Sequence, residues 1–258
     1  MELSYSMKGK IITSLFFIFV AITSLVFFII AVIIRVTTYP FDKRLRLLHL
    51  LTCFWGSLYT YIMPPWKITV QRRNKIKNNK PYIIISNHQS QLDILVAFRL
   101  YKHFKWVSKA EIFKVPVIGW NMVLNRYIKL VRGDKKSIAQ MMDECEMHLK
   151  EGSSVYIFPE GSRSPDGHLK QFKLGAFLLA KKLNLPIMPI IIEGTRFALP
   201  KHSIDYHGKH PIILRVLDEI VPEKFKNMSI EELIDYTWNY MNTELKKLRM
   251  EMYGSDSI

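Results

Sequence analysis

Residues 11–34 run for 24 positions without one charged side chain, and no other feature limits the fold of this chain so strongly. A helix rising ~1.5 Å per residue carries such a run about 36 Å, beyond the roughly 30 Å hydrocarbon core of a bilayer. The run is too long for the apolar part of a cleaved leader, and Val32-Ile33-Ile34-Arg35 offers no small-residue cleavage site. A membrane helix is predicted. A second apolar stretch, 47–63, is shorter, carries His49 with Phe54, Trp55, Tyr59 and Tyr61, and stops at Pro64-Pro65. Its Trp and Tyr content suits the headgroup level, so it reads as an interfacial or re-entrant helix. An amphipathic core helix fits the same pattern.

Basic residues stand before the first stretch (Lys8, Lys10), between the two (Arg35, Lys43, Arg44, Arg46) and after the second (Lys67, Arg72, Arg73, Lys75, Lys77, Lys80). Simple spans cannot keep all three clusters on one side, whereas two helices dipping into one leaflet hold each of them at the cytoplasmic face. The net charge of +15 would then seat the following domain on anionic lipid, at about 1 kcal/mol per basic residue close to the surface. Nucleic acid is the competing use of that charge. It is set aside, because 72–80 lacks interleaved aromatics and no recognition-helix pattern accompanies it. Membrane lipid is the predicted partner, and the predicted location is a membrane, the inner one in a bacterium.

At 258 residues the chain holds one ordinary domain beside this element. Short β-branched runs recur at 82–86, 127–131, 154–158, 187–192 and 212–217, with helical stretches between them, which is the α/β pattern. Near-continuous apolar strands predict a sheet covered on both faces, and the expected fold class is α/β, a mixed, largely buried central sheet flanked by helices. Helices are predicted over 136–150 and 174–183, and a last one from a Ser229-Ile-Glu-Glu232 capping box to about 250. The domain reading is a membrane-associated two-helix segment at 1–65 and an α/β domain with a C-terminal helix at 66–258. Cys53 and Cys145 stand far apart without the spacing of a redox pair or zinc site, and read as small buried hydrophobes.

The chemistry sits after two strands. The run 82–86 delivers Asn87-His88-Gln89-Ser90-Gln91-Leu92-Asp93 to its C-terminal end. With His88 in the turn and Asp93 in the first helical turn the two side chains can meet, and a carboxylate on one imidazole nitrogen leaves the other free to take a proton from a hydroxyl. The competing reading of Asp93 is helix capping, since Ser90-x-x-Asp93 resembles a capping box. The run 154–158 ends in Phe158-Pro159-Glu160-Gly161-Ser162-Arg163-Ser164-Pro165-Asp166-Gly167. A glycine, small hydroxyls and an arginine directly after a strand suit a phosphate-bearing ligand. The last three residues make a turn.

These residues resemble the glycerolipid acyltransferase family, which includes 1-acylglycerol-3-phosphate acyltransferases. Its first motif, Asn-His-x4-Asp, is matched by Asn87, His88 and Asp93, and its third, Phe-Pro-Glu-Gly-Thr-Arg-Ser, by 158–164 with Ser162 in place of threonine. Its second is matched by Lys109, Pro116, Gly119 and Arg132, and its fourth, an apolar strand with a proline, by Pro186 and Pro189. The resemblance covers about 65–220, and the N-terminal helix pair is typical of bacterial members. It implies that His88, oriented by Asp93, deprotonates the sn-2 hydroxyl of a lysophospholipid acceptor, which attacks the thioester of acyl-CoA or acyl-carrier protein. Phosphatidate from 1-acylglycerol 3-phosphate is the product so implied. Another lysophospholipid acceptor would use the same motifs, and a non-enzymatic lipid-binding protein could keep the fold. Lys109, Arg132, Glu160, Gly161, Ser162 and Arg163 would hold the acceptor, and Lys173 with Gly175 extends that reading by one more phosphate contact. No metal or organic cofactor is called for, the acyl thioester being a co-substrate. His202, His207 and His210 read as a polar surface loop rather than a zinc site. The Gly-x-Ser-x-Gly and Gly-Lys-Ser/Thr patterns of serine hydrolases and nucleotide kinases are absent.

Overall fold

Side chains branched at Cβ crowd a helical turn but fit a pleated sheet, and the five runs so composed all pair in the computed structural model, which describes residues 7–63, 65–199 and 210–255. The chain opens with α1 (Met7–Thr37), α2 (Arg46–Ile62), β1 (Trp66–Gln71), β2 (Ile83–Ser86), α3 (Leu92–Phe98), β3 (Phe104–Lys109), α4 (Ile118–Leu124) and β4 (Ile128–Leu130). It continues with α5 (Lys135–Lys150), β5 (Ser154–Ile157), α6 (Gly175–Leu183), β6 (Ile187–Glu193), α7 (Thr195–Ala198), β7 (His210–Val216), α8 (Pro222–Phe225) and α9 (Ile230–Tyr253). Ser229 caps α9 through the anticipated reciprocal pair with Glu232.

The strands of the described residues lie in the order β1-β7-β6-β2-β5-β3-β4. β6, β2, β5, β3 and β4 are parallel, β7 runs antiparallel to β6, and β1 is parallel to β7, so the sheet is mixed as expected. The parallel block brings five strand C-termini to one edge and the loops before them to the other. β1 and β3 are strands that the apolar runs did not announce, because lysines interrupt both. Alternation along β2 feeds two cores: Ile84 packs with Leu92, Phe98, Phe104, Trp106 and Tyr156, while Ile83 and Ile85 pack with Cys145, Phe177, Leu179, Leu245 and Leu248.

One helix face explains both readings of the second apolar stretch. His49, Thr52, Cys53 and Gly56 of α2 are buried, whereas Leu47, Leu50, Phe54 and Tyr61 are exposed. The inner face sits on the sheet domain: the His49 ring nitrogens lie 2.8 Å from the Tyr127 hydroxyl and 2.9 Å from the Lys102 carbonyl. α1 packs on α2 through Phe27 stacked on Trp55 and through Thr23 and Ser24, each 3.0 Å from the Tyr59 hydroxyl. Phe28 meets Trp120 of α4. Its outer face, Ile18, Ile22, Leu25, Ile29, Ile33 and Val36, is exposed, and only 11% of the Ile18–Thr37 window is buried. A core helix would hide that surface; one so apolar and so bare associates the chain with a membrane.

The contact between α2 and α3 depends on Gly56. A Cβ there would lie 2.6 Å from Cδ2 of Phe98, whose ring is boxed in by Phe104 and Trp106. Replacing Gly56 by Val should therefore destabilise the detergent-solubilised protein by about 1–3 kcal/mol, read from the denaturation midpoint. An unchanged midpoint would contradict this packing.

Candidate active site

Burial of β2 carries a polar turn to the sheet edge with no freedom to drift. Asn87 anchors it: its amide donates to the Ile192 carbonyl and its oxygen accepts from the Ile192 N–H, both at 2.8 Å, so a side chain continues the β2–β6 ladder. His88 follows. Its Nδ1 lies 2.8 Å from Oδ2 of Asp93, and its ring stacks on Phe158 with centroids 3.9 Å apart and planes 15° from parallel. Two contacts at right angles hold both torsions of the imidazole. Nδ1 faces a carboxylate and so carries the proton, which leaves the lone pair on Nε2, an atom without a hydrogen-bond partner among the described residues.

Asp93 is fully buried and meets both the turn backbone and His88 with one group. Oδ2 also accepts from the N–H groups of Gln89 at 2.7 Å and Ser90 at 2.9 Å, the acidic half of a capping box. The reciprocal half is missing, since the Ser90 hydroxyl accepts from Leu92 N and donates to the Leu199 carbonyl. Oδ1 accepts from the Thr195 hydroxyl at 2.5 Å. The carboxylate therefore shapes the turn and orients the histidine together.

The second turn leaves β5 beside the first. Glu160 is buried, and its carboxyl accepts from the backbone N–H of His88 at 2.8 Å and of Lys170 at 3.0 Å. Burial pushes it up to about 7 against those two hydrogen bonds. Gly161 has φ +70°, and a Cβ there would meet Cε of Lys173 at 2.7 Å, so the glycine supplies both the left-handed turn and the space for that lysine. Ser164 N donates to the His88 carbonyl at 2.7 Å, which clamps the two turns together. Lys170 Nζ donates to the Ser162 hydroxyl at 3.1 Å and the Arg163 carbonyl at 2.7 Å.

His88 thus touches both Asp93 and Glu160, with Gly161, Ser162, Arg163 and Lys173 on the adjoining turn. Lys109 and Arg132 leave the same edge from β3 and β4, two and three strands from β2, or about 10 and 14 Å at the usual spacing. Lys109 pairs with Glu111 at 2.9 Å on the surface, a contact weak enough to be exchanged for a ligand. Gly119 of the second motif is needed for packing, since a Cβ would sit 2.1 Å from the Phe113 carbonyl oxygen.

Several supports were not named from sequence. Thr195 is one. Another is fully buried Glu193, which accepts from Gln89 Nε2 at 3.1 Å and from Arg249 Nε at 2.9 Å, while Arg249 Nη2 donates to the Gly167 carbonyl at 2.6 Å. Arg249 belongs to α9, 56 positions beyond Glu193, and no local pattern links them. His202 and His207 lie outside the described residues, and His210 opens β7. Among the described residues no group of three metal-binding side chains gathers.

An acyltransferase family model matches residues 67–193. Chloroplastic 1-acyl-sn-glycerol-3-phosphate acyltransferases of Arabidopsis thaliana and Brassica napus are each 37% identical, over 83% and 72% of this chain. The chain spans 59% and 56% of their respective lengths. The enzyme of that name from Pseudomonas aeruginosa is 31% identical over 68% of this chain and 68% of its own. The crystal structure of the 1-acyl-sn-glycerophosphate acyltransferase PlsC from Thermotoga maritima has the same fold, with a TM-score of 0.73 at 21% identity over 93% of this chain and 98% of that one. Two motif-bearing turns clamped at one sheet edge and these matches together place the chain in the glycerolipid acyltransferase family, alongside the 1-acyl-sn-glycerol-3-phosphate acyltransferases.

Proposed function

We propose that this protein transfers an acyl group from acyl-CoA or acyl-carrier protein to the sn-2 hydroxyl of 1-acylglycerol 3-phosphate, yielding phosphatidate at the cytoplasmic face of a membrane. The observation that carries the reading is the His88–Asp93 pair, 2.8 Å apart, at the same sheet edge as Lys109, Arg132 and Arg163. Nε2 takes the hydroxyl proton as the oxygen attacks the thioester carbonyl; the imidazolium, stabilised by Asp93, then returns that proton to the departing thiolate. No covalent enzyme intermediate is formed. Arg163, Lys109, Arg132 and Lys173 supply the positive charge a phosphomonoester needs, with Arg163 the planar fork. The exposed faces of α1 and α2 lie in one leaflet, so acceptor and acyl chains reach the site without leaving lipid.

Thiol release from long-chain acyl-CoA, with and without 1-acylglycerol 3-phosphate, tests the assignment. Release should depend on the acceptor, and His88→Ala should abolish it while the protein remains folded and membrane-bound. Release with a different lysophospholipid alone would overturn the acceptor, and undiminished release by His88→Ala would overturn the base. Asp93→Asn should lower kcat by about 10³–10⁴-fold. Were Asp93 only a cap, the change would cost about 1 kcal/mol of stability and leave kcat intact.

Glu160 links the two turns and carries its own pH signature. A carboxyl ionising near 4.5 in the unfolded chain and about 7 in the folded one binds its proton more tightly when folded. Its contribution to stability is therefore complete below pH 4.5 and is lost as pH rises toward 7. Glu160→Gln should flatten the fall in unfolding midpoint across that window relative to wild type. Identical slopes for the two proteins would refute the raised value.

A further inference from the structure

The sheet edge opposite His88 carries a second basic site. The loop from α1 to α2 and the segments that precede β4 and β5 line an open cleft of about 630 Å³, formed by Arg35, Tyr39, Lys43, Arg44, Arg126 and Glu151, with Asp42 and Leu45. Four cations face two carboxylates, and both carboxylates are engaged. Asp42 accepts from the N–H groups of Arg46 and Leu47 at the start of α2, and Glu151 lies 3.4 Å from His148 and 3.8 Å from Arg126. Arg35 and Lys43 share one aromatic ring, 5.0 and 4.7 Å from the Tyr39 centroid, and among the described residues neither has a carboxylate within 4.0 Å. Two cations drawn to one ring repel each other, and an anion between them removes that repulsion.

The frame is rigid. Arg44 Nη1 donates to the Gly152 carbonyl at 3.1 Å, and the buried Lys105 Nζ donates to the Arg44 and Asn125 carbonyls at 3.0 and 2.7 Å, so both loops around the cavity are tied to β3. Exposed apolar side chains adjoin its lining in sequence: Val36 follows Arg35 at the end of the bare apolar face of α1, and Phe41 precedes Asp42 in the loop itself. A free phosphate has no use for such a wall. A glycerophospholipid does, because its chains cover the exposed apolar face of α1 while its phosphate enters the cavity, whose volume exceeds what a bare phosphate fills.

We propose that this cavity binds the headgroup of an anionic, fully acylated glycerophospholipid that takes no part in the reaction and holds the loop end of the helix pair at the membrane surface. The site is separate from the acyl-transfer edge, since Gly152 and Glu160 lie beyond opposite ends of β5, whose own length is about 10 Å at strand rise.

The full chain in nonionic detergent, titrated separately with dioctanoyl phosphatidylglycerol, dioctanoyl phosphatidylcholine and inorganic phosphate, tests the proposal, with bound species counted by native mass spectrometry. Phosphatidylglycerol should bind saturably and more tightly than phosphatidylcholine, and inorganic phosphate should not displace it. Arg35→Gln with Lys43→Gln should weaken it roughly tenfold or more, and Arg126→Gln, on another element, should weaken it independently. Lys224→Gln with Lys226→Gln, matched in charge but outside the cavity, should leave it unchanged, as should His88→Ala. Wild-type affinity in both cavity variants would overturn the site. Equal loss in the Lys224/Lys226 control would show diffuse attraction instead, displacement by inorganic phosphate a small-anion site, and loss in His88→Ala binding at the acyl-transfer edge; each of these also overturns it.

Discussion

A single buried carboxylate organises the reactive edge. Asp93 receives hydrogen bonds from the Gln89 and Ser90 backbone and from the Thr195 hydroxyl, and lies against His88 Nδ1. Burying a charge is costly unless every lone pair finds a donor, so these partners cannot move apart without exposing that cost. The turn after β2, the start of α3 and the start of α7 are thereby held to a common point. The histidine inherits its orientation from groups that also stabilise the fold, and catalysis on this reading uses an arrangement the chain already maintains for structural reasons.

The two edges of the sheet serve different ends. Five parallel strands put the motif-bearing turns together at their C-terminal ends, and the short β2 and β5 bring the His88 and Glu160 turns within hydrogen-bonding reach. The reversed β7 and β1 return the chain so that α2, which immediately precedes β1, spans the domain from the far edge to the near one. That route gives α2 an inner face for the core and an outer face for lipid. It also leaves the α1–α2 loop on the edge remote from His88, where the basic cavity lies.

Long-range polar contacts extend this organisation to the end of the chain. Glu193 at the tip of β6 joins Gln89 of the reactive turn to Arg249 of α9, and Arg249 reaches the Gly167 carbonyl after the second motif. The terminal helix is therefore part of the support for both turns as well as a lid on the Ile83–Ile85 core. Loss of Glu193 would leave the buried Arg249 guanidinium without a carboxylate partner, which ties the three regions beyond the apolar packing of α9.

Local chemistry was enough to place five of the seven strands, the paired motifs and the apolar helix, because strand periodicity, turn residues and an uncharged run are properties of neighbouring side chains. Asn87, His88, Asp93 and the 158–164 turn were legible for that reason, and the family resemblance added Lys109 and Arg132, which share the edge without touching His88. β1 and β3 escaped notice because their lysines break the apolar pattern, and only the neighbouring loops reveal how Lys105 is satisfied inside. Thr195, Glu193 and Arg249 were invisible as site residues, since each meets its partner across a separation of more than 50 residues. The amino-acid sequence by itself determined which groups could do chemistry and which segments had to leave water. The tertiary structure decided which of them meet, because hydrogen bonds between distant residues exist only after burial has fixed the sheet order and brought its strand ends to common edges.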